Sequence, residues 1–159
     1  MPIVSALIYR AISWAARHGL RDDADSSPEK KKHEARRTGL SGETFAFWYL
    51  RKHGYVIVAR NYMPRSGRGE LDLVGFAGET LAFVEVRTPP VRDELTAIPE
   101  LSIAPDKRHV LIRSAKRFLT ERHVRECPCR FDVLAIDNLP GQPPVVRLHI
   151  ALRCKLAPA

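Results

Sequence analysis

Long apolar runs are absent from this chain of 159 residues: no stretch reaches 18 consecutive apolar positions, which argues against a membrane-spanning helix. Cysteine is scarce. Three thiols are an odd number and cannot close a disulfide framework, and Cys127-Pro128-Cys129 has no second pair at zinc-ligand spacing. The histidines are scattered, with no pair at metal spacing, so solvated or structural roles are expected for them. No internal repeat is visible. Gly67 and Gly69 precede a strand rather than a helix and form no phosphate-cradling loop. These absences suit a reducing cytoplasm.

Positive charge and apolar residues are what the chain does have. Apolar residues make up 45% and charged residues 28%, which excludes wholesale disorder and allows the core of one domain with a short appendage. Lys and Arg number 26 against 18 Asp and Glu, and the net charge of +8 favours anionic partners, nucleic acid being the commonest. The excess is spread along the chain: residues 1–38 carry 8 basic and 5 acidic residues, and residues 39–159 carry 18 and 13.

Composition changes near residue 38. Ile3 to Ala16 is mostly apolar, with Ser5, Tyr9, Arg10, Ser13 and Arg17 on one narrow polar stripe at helical spacing. No cationic start precedes its apolar run, which counts against a signal peptide. An amphipathic helix that docks on a partner, a membrane surface or the body of the chain is one reading, and an appendage without a fixed role is the other. Arg21 to Arg37 reads as a solvated linker, so the expected division is an N-terminal segment over 1–38 and a folded domain over 39–159.

Within the domain the pattern predicts a helix from about His33 to His53, ended by Gly54, and then a strand from Tyr55 to Tyr62. Glu70 to Ala77 and Thr80 to Thr88 read as strands flanking Gly78-Glu79, and Pro89 to Pro105 as a proline-rich loop. Asp106 to Arg122 reads as a second helix with Leu111, Ala115, Phe118 and Leu119 on one face, followed by strands from Phe131 to Ile136 and Val145 to Leu152. The order α-β-β-β-α-β-β predicts an α/β fold, a mixed central sheet flanked by helices.

The hairpin is the most informative segment. A two-residue loop at Gly78-Glu79, with glycine where a type II′ turn needs it, pairs Ala77 with Thr80. Continued outward, that register puts Asp72 opposite Glu85 and Glu70 opposite Arg87. Two carboxylates held about 5 Å apart at Cβ repel unless a cation lies between them. A hard divalent cation with oxygen ligands, such as Mg²⁺, would relieve the repulsion. The plainer alternative is an exposed face with a Glu70–Arg87 ion pair and solvated acids. On the first helix Glu43 falls on the stripe of Leu40, Ala46, Phe47 and Leu50, where a carboxylate is costly unless paired. Gly39 and Gly42 flank it and suggest close approach of another backbone. Alternatively, Glu43 lies at the stripe's edge, or Ser41 caps a helix that starts at Gly42.

Gly42-Glu43…Ala46, Tyr49-Leu50, Gly54-Tyr55, Arg60-Asn61-Tyr62, Gly69-Glu70-Leu71-Asp72-Leu73-Val74, Phe83-Val84-Glu85-Val86-Arg87-Thr88 and Cys129-Arg130-Phe131-Asp132-Val133 occur in order. Over about Gly39 to Leu152 the chain thereby resembles the YraN family of bacterial endonuclease-like proteins, related to archaeal Holliday-junction resolvases within the restriction-endonuclease-like superfamily. The resemblance implies a restriction-endonuclease-like fold with the site on the central hairpin. It implies Asp72 and Glu85 as acids holding Mg²⁺ or Mn²⁺, and Glu43 as the helix-borne acid. It also implies a bacterial cytoplasmic protein acting on DNA, with branched DNA suggested by the resolvase kinship. Superfamily relatives often work as dimers, which raises a homodimer.

One position departs from the pattern: Arg87 stands where the family has a lysine. Arginine stays protonated, so it can bind the scissile phosphate and stabilise negative charge but cannot help deprotonate water. Lys107 matches a basic position at the start of the second helix. With Arg65, Arg68 and Arg108 it is a candidate for contacts to the nucleic-acid backbone. Asp132 is expected in an ion pair, and Phe45, Trp48 and Tyr49 in packing. The expected activity is metal-dependent hydrolysis of DNA phosphodiesters by Glu43, Asp72, Glu85 and Arg87. The alternative is a nucleic-acid-binding protein that kept the fold and lost cleavage.

Overall fold

The computed structural model describes residues 42–65, 67–88, 105–124, 126–137 and 143–155. The amphipathic stretch and linker of residues 1–38, the expected helix start with Gly39, Leu40 and Ser41, and the proline-rich loop over 89–104 lie outside the described residues.

The first helix, α1, is described over residues 42–52. Gly54, with φ +86°, ends it. The Tyr55 N–H bonds the Leu50 carbonyl at 3.0 Å and the Gly54 N–H bonds the Arg51 carbonyl at 3.2 Å, the paired closing bonds of a Schellman turn. The chain continues through strands β1 (Val56–Tyr62), β2 (Leu71–Ala77) and β3 (Thr80–Arg87), helix α2 (Pro105–Glu121), and strands β4 (Pro128–Asp137) and β5 (Val145–Lys155). Pro105 opens α2 rather than closing the loop, since proline lacks only a donor that the first helical turn leaves unpaired. The α-β-β-β-α-β-β order is as expected. Among the described residues no helix is long and apolar enough to cross a membrane.

The five strands form one sheet in the order β1-β2-β3-β4-β5, parallel between β3 and β4 and antiparallel elsewhere. The parallel pair requires a crossover, which α2 supplies. Ala77 pairs with Thr80 across Gly78-Glu79, and Gly78 has φ +62°, as the type II′ turn demands. Side chains alternate across β3. Ala82 and Val84 join Phe45, Ala46 and Leu50 of α1, while Leu81 and Phe83 join Leu111, Ala115, Phe118 and Leu119 of α2. The helices therefore cover opposite faces. The apolar stripe of α2 is the expected one. That of α1 is rotated: Phe45 is buried and Phe47 only half-buried.

Residues 63–65 and 67–70 lie along α2. Both carboxylate oxygens of Glu121 hold them: Oε2 accepts the Tyr62 hydroxyl at 2.7 Å and Oε1 the Arg65 backbone N–H at 3.2 Å. Midway along α2, a Cβ on Gly69 would meet Ser114 Oγ at 2.3 Å and Val110 Cγ1 at 2.8 Å, and Gly69 has φ +84°. Only glycine fits this seat without strain. Gly69→Ala should destabilise the fold by about 1–3 kcal/mol through combined steric and backbone strain, read as a lowered urea midpoint.

Candidate functional site

The site forms where β2 and β3 part. Their ladder stops at Leu73–Val84, one residue short of the expected Asp72–Glu85 pair and three short of Glu70–Arg87. The cause is a side chain. Asp72 Oδ2 accepts the Val86 backbone N–H at 2.7 Å, so a carboxylate replaces the carbonyl that would have continued the ladder. Side-chain alternation breaks at the same point: Leu71 joins the α2-side core and Leu73 the α1-side core, although they are two residues apart. Glu70 is exposed and lies outside the strand, so the expected Glu70–Arg87 cross-strand pair is not part of the sheet.

Glu85 is buried near the end of β3, beside Val133 in the parallel ladder. Lys107, in the first turn of α2, donates its ammonium to Glu85 Oε1. Lys107 is half-exposed, so it pairs with the acid while facing solvent. Arg87 follows two residues after Glu85 and shares its strand face.

Glu43 approaches from α1. Gly42 admits close contact there, because a Cβ would lie 2.6 Å from Thr88 Oγ1, just past the end of β3. The close neighbour is therefore a side chain, not the backbone expected from the flanking glycines. Glu43 itself is half-buried at the edge of the stripe, and its Oε2 accepts Asn61 Nδ2 at 2.7 Å. The stripe centred on Phe45, Ala46 and Leu50 accounts for that position. Asn61, with φ +47°, was not expected as a partner, although asparagine tolerates the left-handed conformation.

The acids act on one another. Burial pushes the Asp72 carboxyl up to about 6 from 3.8, and the charges of Glu85, Glu43 and Glu70 push the same way against the Val86 hydrogen bond. Among the described residues no group of three or more His, Cys, Asp or Glu side chains could hold a metal ion together. The donor chemistry of Asp72 and Glu85 still fits Mg²⁺, which takes oxygen ligands, binds through one or two carboxylates and keeps much of its water.

The remaining candidates lie apart from the acids. Arg65 and Arg68 are exposed on the segment that runs along α2, and Arg108 is exposed in its first turns. Asp132 has a structural place. Its buried Oδ2 accepts Arg130 Nε at 3.0 Å and the Tyr55 hydroxyl at 3.5 Å, and the Tyr55 oxygen in turn accepts Arg130 Nη2 at 2.6 Å. The ion pair expected of Asp132 is therefore present. Glu121 and Gly69 were missed by sequence reasoning. Only a glycine between Arg68 and Glu70 hinted at the close contact.

Residues 42–136 match the model of the uncharacterised protein family UPF0102. The chain belongs to the UPF0102 family. It is 41% identical over 113 residues to a UPF0102 protein of Koribacter versatilis, covering 69% of this chain and 74% of that one. It is 40% identical over 114 residues to one of Pseudomonas aeruginosa, with 71% and 88% covered. It is 35% identical over 125 residues to one of Geobacter sulfurreducens, with 79% and 94% covered. The UPF0102 match contains Glu43, Asp72, Glu85, Arg87 and Lys107 and ends within β4, before β5.

A raised carboxyl gives the UPF0102 domain a pH signature. Between pH 3.8 and about 6 the folded chain retains a proton on Asp72 that the unfolded chain has lost. The associated stability is complete below that window and is lost as pH rises through 6. Asp72→Asn keeps an acceptor for Val86 and removes the titration. It should be more stable than wild type above pH 6, by on the order of 2–3 kcal/mol, and the gap should close by pH 4. Urea denaturation of both proteins across this range checks the sign.

Proposed function

We propose that this UPF0102 protein is a divalent-metal-dependent endonuclease that hydrolyses DNA phosphodiesters, with branched or structured DNA as the expected substrate. The observation that carries the reading is the wedge opened between β2 and β3 by Asp72. It leaves two carboxylates and a lysine at the end of a hairpin, where burial, aided by the nearby negative charge, raises the Asp72 carboxyl. The sequence resemblance to restriction-endonuclease-like proteins supports it.

Asp72 and Glu85 would hold Mg²⁺ or Mn²⁺, which when bound polarises the phosphate and acidifies a water. Asp72 accepts the Val86 N–H at Oδ2, which fixes the orientation of the carboxylate that would hold the cation. Lys107 holds Glu85 in place and brings a positive charge beside the phosphate. Glu43, oriented by Asn61, supplies a third acid for the cation's water shell. Arg87 contacts the scissile phosphate and stabilises the charge that builds on its oxygens. Arg65, Arg68 and Arg108 meet backbone phosphates farther away.

A second reading is a nucleic-acid-binding protein without cleavage. Arg87 in place of a lysine favours it, as does the ammonium of Lys107 already neutralising Glu85. Cleavage of branched, single-stranded and duplex DNA with Mg²⁺ or Mn²⁺ separates the two. Cutting should require metal, and Asp72→Ala and Glu85→Ala should each lower the rate at least about a hundredfold, since metal charge stabilisation is worth several kcal/mol. Arg87→Lys should raise it. Binding without cutting, unrescued by Arg87→Lys, would establish the second reading.

A further inference from the structure

We propose that the groove between β1 and the C-terminal end of α2 seats a single strand of nucleic acid that continues from the acids, so that the preferred substrate is a duplex with a single-stranded arm. This rests on the reading that the site's ligand is DNA.

The groove holds about 510 Å³, and Val58, Arg60, Met63, Arg65, Glu121 and Arg122 line it. Two guanidinium groups, of Arg65 and Arg122, stand with one carboxylate there, while the Arg60 guanidinium turns away to Phe47 and Thr44 of α1. That carboxylate is engaged at both oxygens, by the Tyr62 hydroxyl and the Arg65 backbone N–H. The surface offered to a ligand is therefore cationic. Between the cations stand Val58, 48% exposed, and Met63, 62% exposed. Apolar contacts interleaved with cations suit a polymer that alternates phosphates with flat bases. Beside the groove, the Arg60 guanidinium lies 4.5 Å from the Phe47 ring centroid. Arg51 lies 5.4 Å from the ring centroids of both Phe47 and Trp48, so these cations belong to the α1 side of the β1 edge and stand outside the groove.

Shape narrows the occupant. A peptide adding to the sheet needs a straight, unpaired edge. The outer strand β1 is instead interrupted by a register shift between Ile57 and Ala59 and by the left-handed Asn61. Val58 and Met63 can reach base faces only where the bases are unpaired, which favours one strand over a duplex. Its path is also laid out. Arg65 is anchored at Glu121, Gly69 is seated against Ser114 and Val110 midway along α2, and β2 begins one residue before Asp72. From Glu121 to Lys107 the helix rises about 21 Å, or about six nucleotides at 3.4 Å each.

The test is fluorescence anisotropy in EDTA, where no cutting occurs. It uses a blunt duplex and the same duplex carrying an oligothymidine arm of either about two or about twelve nucleotides. The long arm should tighten wild-type binding at least about tenfold and the short arm should not. Arg122→Ala removes a groove cation that has no part in the duplex contacts proposed above. It should reduce the gain at least about threefold, leave blunt-duplex affinity unchanged, and lower the salt slope for the armed duplex by about 0.7. Met63→Glu, at an exposed position, should do the same by repulsion. An arm that adds nothing to wild-type affinity overturns the proposal, as does an Arg122→Ala protein weakened equally toward both duplexes. Arm preference in a protein that never cuts would leave the groove standing and remove the nuclease reading. Metal-dependent cutting without arm preference would do the reverse.

Discussion

The hydrogen bond from the Val86 N–H to the Asp72 carboxylate is the contact on which the rest of the site depends. In an uninterrupted hairpin a backbone carbonyl would take that donor, and the strands would run together to their ends. By accepting it, Asp72 satisfies a buried backbone group and ends the ladder in one step. β2 then remains paired with β1 through Tyr62–Leu71, while β3 remains paired with β4 through Arg87–Ala135. The central hairpin thus opens at one end like a fork, and the carboxylates lie where its prongs separate.

Such an arrangement works against the fold. A carboxyl raised to about 6 is destabilised by its surroundings, and the repulsion among Asp72, Glu85, Glu43 and Glu70 adds to the burial. The structure offsets part of this with Lys107 on Glu85 and Asn61 on Glu43. Two well-packed cores on opposite faces supply the stability that allows it, since both strands of the hairpin contribute fully buried side chains to each side. Local strain of this kind is expected where binding or chemistry occurs.

What could be read in the sequence follows from how local each signal is. The turn at Gly78-Glu79 depends on four residues, and its register carried correctly for five pairs. The stripe of α2 and the close of α1 at Gly54 are also short-range patterns. The end of the ladder was hidden, because nothing in strand periodicity says that a side chain will replace a carbonyl. The rotation of α1 that buries Phe45 rather than Phe47 is set by packing on the sheet, as is the placing of Glu43 at the stripe's edge. Glu121 looked like one more surface acid on a basic helix. Its two bonds join residues 56 and 59 positions away in sequence, beyond the reach of any local rule.

The sheet's order also bears on how the chain acquires its structure. Every strand neighbours its successor, so most pairings are between segments close in sequence, and such topologies close their contacts at small entropic cost. The hairpin around Gly78, with its two-residue loop, is the cheapest pairing and can form in about 1–10 μs. The parallel joining of β3 to β4 has to wait for the crossover. The acids would therefore be brought together early, before α2 delivers Lys107. A folding order in which the hairpin precedes α2 leaves that repulsion uncompensated until Lys107 arrives, and φ-values near zero at Lys107 would mark it.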